Sequence, residues 1–225
     1  MTFSIAGRCA KSGAFGVAIT TSSIAVGARC PHARAGVGAV ATQNVTDPNL
    51  GPLLLDLMSQ GLSARDAIDS IIRDRPFIEY RQLTAVDNKG NSASWSGKHI
   101  LGTHAVSEQR DCVAAGNLLK SPDLPKVMTD CFAQNASEHL DERLLRALEA
   151  GLASGGEEGP VHSAALIVHH QQDFPLVNLR VDWDDENPIK FLRKLWEDYR
   201  PQMGPYLQRA IDPTAAPSYG VPGDP

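Results

Sequence analysis

Residues 1–43 read MTFSIAGRCAKSGAFGVAITTSSIAVGARCPHARAGVGAVATQ. Two short apolar runs, residues 3–7 and 15–20, flank a polar segment that contains Lys, Ser and Gly. A polar segment of this kind between two apolar runs is typical of a β-hairpin turn. The stretch therefore predicts an antiparallel pair of strands at the start of the chain, with Thr2 at the open end of the first strand.

Thr2 allows two interpretations. If Met1 is removed, Thr2 becomes a chain terminus that carries a hydroxyl and an α-amine on one residue, and an N-terminal amine can activate a threonine hydroxyl as a nucleophile. The simpler alternative is that Thr2 is a β-branched residue that opens a strand, as such residues commonly do. The hairpin alone does not distinguish a catalytic from a structural Thr2.

The composition is that of an ordinary globular protein. The chain has 225 residues, of which 42% are hydrophobic and 21% are charged, and this length favours one large domain. No apolar run approaches the roughly 18 residues of a membrane span. A net charge of -5 without a cluster of Lys and Arg argues against binding to nucleic acid or to anionic membranes.

The cysteines and the N-terminus indicate the cellular compartment. Residues 3–6 are too short for the apolar core of a signal peptide, and the charges of Arg8 and Lys11 follow this run instead of preceding it. Four cysteines are scattered, with no C-x-x-C pair and no histidine at zinc-site spacing. We therefore expect reduced thiols, a cytoplasmic protein, no metal site and no other cofactor.

Beyond the hairpin, periodicity predicts strands and pairs of helices in turn. Apolar residues spaced three or four apart indicate helices, and alternating or short apolar runs indicate strands. Helices that arrive in pairs between antiparallel hairpins favour an α+β protein. The predicted strands are residues 24–28, 37–42, 81–86, 92–96, 104–106, 112–119, 163–169 and 176–183, and the predicted helices are residues 53–61, 63–75, 122–134, 137–153 and 188–199.

The C-terminal part of the chain has a different composition. Residues 201–225 contain six prolines and few apolar residues. We therefore expect a single domain over residues 1–200, followed by a Pro-rich tail or arm over residues 201–225 that is disordered or lies on a neighbouring subunit. This tail and the exposed faces of the helical pairs favour a homodimer.

The pattern of short motifs resembles the domain of unknown function 1028 family, which is grouped with the N-terminal nucleophile hydrolases. The resemblance covers residues 2 to about 198, and it implies a four-layer αββα sandwich of two mainly antiparallel sheets between helical layers. The matching motifs are TFSI at 2–5, GVA at 16–18, AVG at 25–27, ARAGVGAVATQ at 33–43, GP at 51–52, RQL at 81–83, GNLL at 116–119, GG at 155–156, SAAL at 163–166 and LRVD at 179–182.

The sequence departs from the family pattern at three places. His32 stands where an aromatic residue is expected after Pro31, and His162 replaces a glutamine before the Ser-Ala-Ala motif. An expected acidic-basic-Gly turn reads Glu-Glu-Gly at residues 157–159. These changes could alter the choice of substrate without changing the fold.

The resemblance to N-terminal nucleophile hydrolases implies that Thr2 attacks an amide carbonyl while its own amine takes the hydroxyl proton. The unperturbed pKa of an α-amine, about 7.7–8.0, suits a base near neutral pH, particularly beside a cation. Arg34 could supply that cation, or it could pair with a surface carboxylate. Asn117 and the glycines of residues 36–38 could donate to the oxyanion, although Asn117 could equally be a bulge residue.

A small-molecule substrate would also need polar residues around the nucleophile. The candidates lie at predicted strand ends, and each could instead bond to the local backbone or to a buried partner. They are Thr21, Ser22, Gln43, Arg81 and Gln82.

Two further possibilities stay open. Cys30, which has His32 and Arg34 nearby in sequence, could be a nucleophile if its pKa were lowered. The protein could also be a non-catalytic relative that binds a small ligand or acts as an oligomeric scaffold. A chain that retains Met1 favours the second possibility, because a peptide bond then blocks the Thr2 amine.

Overall fold

The computed structural model describes residues 1–221, so the end of the predicted tail, residues 222–225, lies outside the described residues. Within that range the chain forms ten strands and five α-helices. The strands are β1 (Thr2–Arg8), β2 (Phe15–Thr21), β3 (Pro31–Arg34), β4 (Gly38–Asn44), β5 (Arg81–Asp87), β6 (Ser92–Ser96), β7 (Ala105–Gln109), β8 (Cys112–Asn117), β9 (Ser163–His169) and β10 (Val177–Val181), and the helices are α1 (Leu50–Ser59), α2 (Ala64–Asp74), α3 (Leu124–Gln134), α4 (Leu140–Ala153) and α5 (Pro188–Ile211).

The strands form two antiparallel sheets. The larger sheet has the order β10-β9-β2-β1-β8-β7, and the smaller sheet has the order β3-β4-β5-β6. The predicted hairpin is confirmed, since β1 pairs with β2 from Thr2 opposite Thr21 to Arg8 opposite Phe15. The first strand thus lies in the middle of the larger sheet, between β2 and β8.

Three apolar clusters fix the order of the layers. One cluster joins the larger sheet to α3, α4 and α5, and includes Phe3, Phe132 and Trp196. A second joins the smaller sheet to α1 and α2. A third, which includes Ala6 and Ala39, lies between the two sheets. The α+β prediction is therefore confirmed, with the two sheets face to face and helices on both outer sides.

The prediction of a strand at residues 24–28 is wrong. This segment is a short 3₁₀ helix, Val26–Ala28, entered through Ala25 with a φ of 55°. Ser163 holds it, because its hydroxyl accepts a hydrogen bond from the Val26 amide. A Cβ on Gly27 would meet the Ala165 Cβ at 2.7 Å, so glycine permits the close approach to β9. A run this short gives no periodicity that separates a strand from a 3₁₀ turn.

The last helix is longer than predicted. Helix α5 continues through Pro201 and Pro205 to Ile211, so its predicted end near Tyr199 is wrong and the first part of the predicted tail is helical. Tertiary contacts outweigh the loss of two backbone N–H donors: the Tyr199 hydroxyl donates to the Leu176 carbonyl, and Met203 packs on the core of the larger sheet. An arm over residues 201–225 that contacts a partner stays a prediction.

Candidate active site

Strand register brings three of the predicted polar residues together at one end of the larger sheet. Thr2 lies directly opposite Thr21 in β2 and opposite Asn117 in β8. All three side chains are buried. Side chains alternate along a strand, and since Ala6 packs between the sheets, Thr2 and Ser4 face the same interlayer space.

Met1 is attached to Thr2, and its carbonyl lies among the threonine hydroxyls. The Thr2 Oγ1 donates to the Met1 carbonyl oxygen at 2.6 Å, and the Thr21 Oγ1 donates to the same oxygen. The two hydroxyl oxygens are 3.0 Å apart. An amide carbonyl is therefore held directly in front of the candidate nucleophile by two hydroxyl donors.

A buried chain of side-chain hydrogen bonds connects this sheet to the smaller one. The Ser4 hydroxyl donates to Gln43 Oε1 at 2.7 Å, and Gln43 Nε2 donates to Gln82 Oε1 at 2.7 Å. Asn117 Nδ2 also donates to Gln82 Oε1, at 3.2 Å. Buried amides that satisfy one another hold each other in one arrangement. Gln43 and Gln82 thus hold Ser4 and Asn117 in place, and no hydrogen bond among the described residues joins either glutamine to Thr2.

Gln82 is the centre of this chain of bonds. Besides accepting from two amides, its Nε2 donates to the Gly116 carbonyl and to the Ser96 hydroxyl, each at 3.2 Å. The Gly116 carbonyl belongs to β8, next to Asn117. Gln82 thereby fixes the backbone that carries Asn117 beside Thr2.

Asn117 has spare hydrogen-bonding capacity. One of its two amide donors is used by Gln82, whereas its Oδ1 is buried with no partner among the described residues. A buried acceptor without a partner is costly and often marks a site where a ligand supplies the missing donor. The unpartnered Oδ1 is an acceptor, so only the second hydrogen of Nδ2 could donate to an oxyanion, and that role of Asn117 stays a prediction.

Glu157 is a functional candidate that the sequence reasoning missed. The isolated bridge between Leu119 and Glu157, and the bond from the Glu158 amide to the Leu118 carbonyl at 2.8 Å, bring this loop beside β8. Glu157 is only 1% exposed, and neither carboxyl oxygen has a regular hydrogen bond among the described residues. Its place in a polar, glycine-rich loop predicts an exposed side chain. The only feature of the sequence that pointed to a special role here was the departure from the family turn at residues 157–159.

The environment of Glu157 changes its acidity. Burial raises the pKa of the carboxyl to about 8, while the N-terminal ammonium of the chain and the backbone N–H of Ser22 act in the opposite direction. A carboxyl with so high a pKa is largely protonated at neutral pH unless a cation approaches it. The backbone N–H of Ser22 therefore lies close enough to influence this carboxyl but does not form a regular hydrogen bond with it.

We expect Glu157→Gln to stabilise the chain that retains Met1, and to do so increasingly as pH rises. The pKa of Glu157 is about 8 in the folded chain and has its ordinary value of 4.5 in the unfolded chain. Below pH 4.5 the carboxyl is neutral in both states and does not disfavour folding. As pH rises from 4.5 through about 8, the unfolded chain ionises more readily than the folded one, and the free energy of unfolding falls. Glutamine cannot ionise, so its advantage should grow over that window to on the order of 3 kcal/mol. Denaturant unfolding at a series of pH values measures it.

The exposed neighbour Glu158 provides the matched control, because Glu158→Gln should change the free energy of unfolding by less than about 0.5 kcal/mol at every pH. An effect of Glu157→Gln that is equal at low and high pH would contradict the predicted ionisation behaviour.

Two predicted site residues lie elsewhere. Arg34 is at the far end of the smaller sheet, opposite Gly38, and it pairs with Asp56 at 2.8 Å, so it does not supply a cation to Thr2. The side chain of Arg81 donates to the Val45 carbonyl. Because Gln82 faces the interlayer space, the alternation of the strand turns Arg81 to the opposite face.

The glycine oxyanion donors and the alternative nucleophile Cys30 gain no support from their surroundings. Gly36 lies in the turn before β4 and Gly38 begins that strand, whereas Gln43, near its other end, accepts a hydrogen bond from Ser4 in the Thr2 strand. Cys30 is 3% exposed, and burial raises the pKa of its thiol. A raised pKa disfavours the thiolate, so Cys30 is not activated for attack.

Beside the site, the segments that follow Gln43 and Asn117 form a rim with a strained backbone and exposed apolar side chains nearby. Asn44 and Leu118 have φ values of 70° and 51°, a left-handed conformation that non-glycine residues seldom adopt. The Asn44 side chain holds the rim, since it accepts from the Leu101 amide at 3.2 Å and donates to the Tyr80 carbonyl at 2.7 Å. Leu101 and Tyr80 are 50% and 42% exposed. An exposed apolar rim beside a buried polar site suits a ligand with both kinds of surface.

An open groove lies on the Glu157 side of the site. It has a volume of about 360 Å³, and three carboxylates and one lysine line it. These charged residues are Lys120, Glu157, Glu158 and Glu186. The groove is therefore acidic, and Glu157, whose carboxyl is buried, is one of its lining residues.

Comparison with known proteins identifies the family. The family of unknown function DUF1028 matches residues 2–192, and the chain belongs to this family. A crystal structure of a Silicibacter pomeroyi protein of the same family is similar, with 30% identity, coverage of 88% of each chain and a TM-score of 0.81. No curated protein sequence matches the chain.

More distant structures are ancestral β-subunit (Anbu) proteins. The Anbu protein of Yersinia bercovieri has 12% identity and a TM-score of 0.39, with coverage of 90% of this chain and 96% of that one. A Gly-1 mutant of Anbu from Hyphomicrobium sp. strain MC1 has 14% identity and a TM-score of 0.43, with coverage of 98% and 100%.

Across residues 1–221, no helix combines the length and the apolar character that crossing a bilayer requires.

Proposed function

We propose that the chain is an N-terminal nucleophile hydrolase that cleaves an amide bond of a small molecule, with Thr2 as the nucleophile after Met1 is removed. The observation that carries this proposal is the contact between the Met1 carbonyl and the hydroxyls of Thr2 and Thr21. It pairs an amide carbonyl with a candidate nucleophile and a second donor in a buried site. The two face-to-face antiparallel sheets, with Thr2 at the start of a central strand, support the same class.

The proposed reaction is an acyl transfer in two stages. The Thr2 Oγ1 forms a bond to the substrate carbonyl carbon, and its proton moves to the Thr2 α-amine. The carbon–nitrogen bond of the substrate then breaks, and the leaving amine takes that proton. Water adds to the acyl carbon and returns a proton to Oγ1, which releases the acid. The Thr21 hydroxyl stabilises the oxyanion, and Asn117 lies on the opposite side of Thr2.

A second candidate is a non-catalytic protein that binds a small ligand or forms an oligomeric scaffold. If Met1 is retained, a peptide bond blocks the Thr2 amine, which then cannot act as a base. The buried unpaired groups of Asn117 and Glu157 would then bind a ligand without turning it over.

Comparing Met1-free chain with chain that retains Met1 tests the proposal. Co-expression with or without a methionine aminopeptidase produces the two forms, and intact-mass analysis verifies them. We expect the Met1-free form to hydrolyse members of a panel of small amides and the Met1-bearing form to be inactive, because only the free amine can accept the hydroxyl proton. Equal turnover by both forms would overturn the role of the amine, and turnover by neither would favour the binding protein.

We also propose that the protein is a cytoplasmic homodimer. Phe191 and Leu195 on α5 are 48% and 39% exposed, which supports contact between copies through this helix.

A further inference from the structure

Met1 occupies the site in the same way that the acyl half of a substrate would. Thr2 Oγ1 and the Thr2 nitrogen are joined through only two carbons, so an acyl group on either atom lies in nearly the same place. In the intact chain the acyl group on the nitrogen is methionyl, and its carbonyl contacts Thr2 and Thr21. The surroundings of Met1 therefore show what an acyl group on Oγ1 would meet.

The side chain of Met1 lies against a glycine that leaves room for it. A Cβ added to Gly159 would meet the Met1 Cε at 2.8 Å and the sulfur at 3.2 Å. The space beside Gly159 thus accommodates an unbranched apolar side chain. Removal of Met1 empties this space, which lies beside Gly159, a residue that also lines the groove.

Met1 lies beside the loop that carries Glu157, because its side chain would meet a Cβ on Gly159, two residues further along. The N-terminal ammonium interacts favourably with the Glu157 carboxyl. Both carboxyl oxygens are buried and without a regular hydrogen bond among the described residues, so they have capacity for an ammonium group. Removal of Met1 moves the N-terminal amine to Thr2, where the proposed mechanism uses it in its neutral form as the base. The buried carboxyl then has no charged partner unless a ligand supplies one.

The charge of the groove favours the same kind of occupant. Glu158 and Glu186 line the groove with Glu157, and Lys120 is the one basic residue among its lining residues. An ammonium group is attracted to such a surface, and an acidic acyl group is repelled from it.

We propose that the substrate's acyl half is an α-aminoacyl group with a free ammonium and an unbranched apolar side chain, held by Glu157 through the ammonium and by the space at Gly159 through the side chain. This inference rests on the proposed function, since it takes Thr2 as the atom that receives the acyl group. Glu157 is a specificity residue here: it binds the acyl half and does not take part in proton transfer to the leaving group.

Binding to the Met1-free chain tests the inference separately from turnover. The probes are L-methioninamide and N-acetyl-L-methioninamide, titrated by calorimetry or by NMR. We expect the free amine to bind about 10- to 100-fold more tightly, because the acetyl group removes the charged donor to a buried carboxylate. Equal affinity of the two probes would overturn the inference.

Three variants assign this preference to particular residues. Glu157→Gln should remove the preference for the free amine, and Glu197→Gln, at an exposed glutamate on α5 outside the groove, should keep it. Gly159→Ala should weaken the binding of methioninamide more than the binding of alaninamide, because a Cβ fills the space that the Met1 side chain occupies. Loss of the preference in both glutamate variants would show a general charge effect and would overturn the role of Glu157.

The results distinguish the inference from the proposed function. If the chain prefers the free-amine probe but hydrolyses no amide, the proposed binding of an α-aminoacyl group stands and the catalytic proposal fails. If neutral N-acetyl amides are bound and hydrolysed as well as free-amine amides, the catalytic proposal stands and the inference fails.

Discussion

Replacing Thr2 with alanine is expected to lower kcat/KM for amide hydrolysis by the Met1-free chain by about 10⁴-fold or more. Loss of a nucleophile removes the step that other catalytic residues assist, so its effect is among the largest that one substitution produces. Kinetics on the most active amide of a panel measure the loss. Alanine is small enough to allow removal of Met1, so the free N-terminus is retained in the variant.

Two matched variants separate nucleophilic attack from packing. Thr2→Ser keeps the hydroxyl and should retain most activity, whereas Thr21→Val keeps the shape, removes one donor to the carbonyl and should cost about 10²-fold in kcat. Activity of Thr2→Ala within a few-fold of the unaltered protein would mean that Thr2 is only the structural start of β1.

Replacing Gln82 with leucine is expected to lower the free energy of unfolding by about 3–5 kcal/mol. The change deprives the Gln43 and Asn117 amides of their shared acceptor and leaves the Gly116 carbonyl without its donor. Each buried polar group left unsatisfied costs about 1–3 kcal/mol. Denaturant unfolding monitored by circular dichroism measures the loss.

The control for Gln82 is the same substitution at the surface. Gln134 is exposed at the end of α3, so Gln134→Leu should change stability by less than about 0.5 kcal/mol. If Gln82→Leu is as mild as this control, the connection between the sheets does not depend on the buried amides.

Much of the fold could be predicted from local pattern. Where periodicity is sustained, as in the residues of α2 and α4, the sequence indicates the helix. The short strand β3 (Pro31–Arg34) was not predicted, and two other elements were predicted wrongly for tertiary reasons. Val26–Ala28 is held by Ser163, far away in sequence, and α5 passes Pro201 because residues beyond it pack on the larger sheet. Contacts of this kind are not visible in a single stretch of sequence.

The candidate site could be predicted only in part. Thr2, Thr21 and Asn117 could be predicted because each lies at a strand end of one sheet, where the strand register brings them together. Arg34 was misassigned, because sequence proximity to a glycine-rich strand does not show which end of the strand faces Thr2. Glu157 was missed because the burial of a loop carboxyl depends on what packs over it, here the N-terminus and the segment after β8.

The most direct test of the central claim is identification of the residue that forms the covalent bond. The Met1-free chain is treated with a β-lactone, which acylates an activated hydroxyl, and the inactivated protein is mapped by peptide mass spectrometry. The proposal predicts one adduct, on Thr2, and none in the chain that retains Met1. Inactivation with the adduct on Cys30 or on any other residue would contradict it.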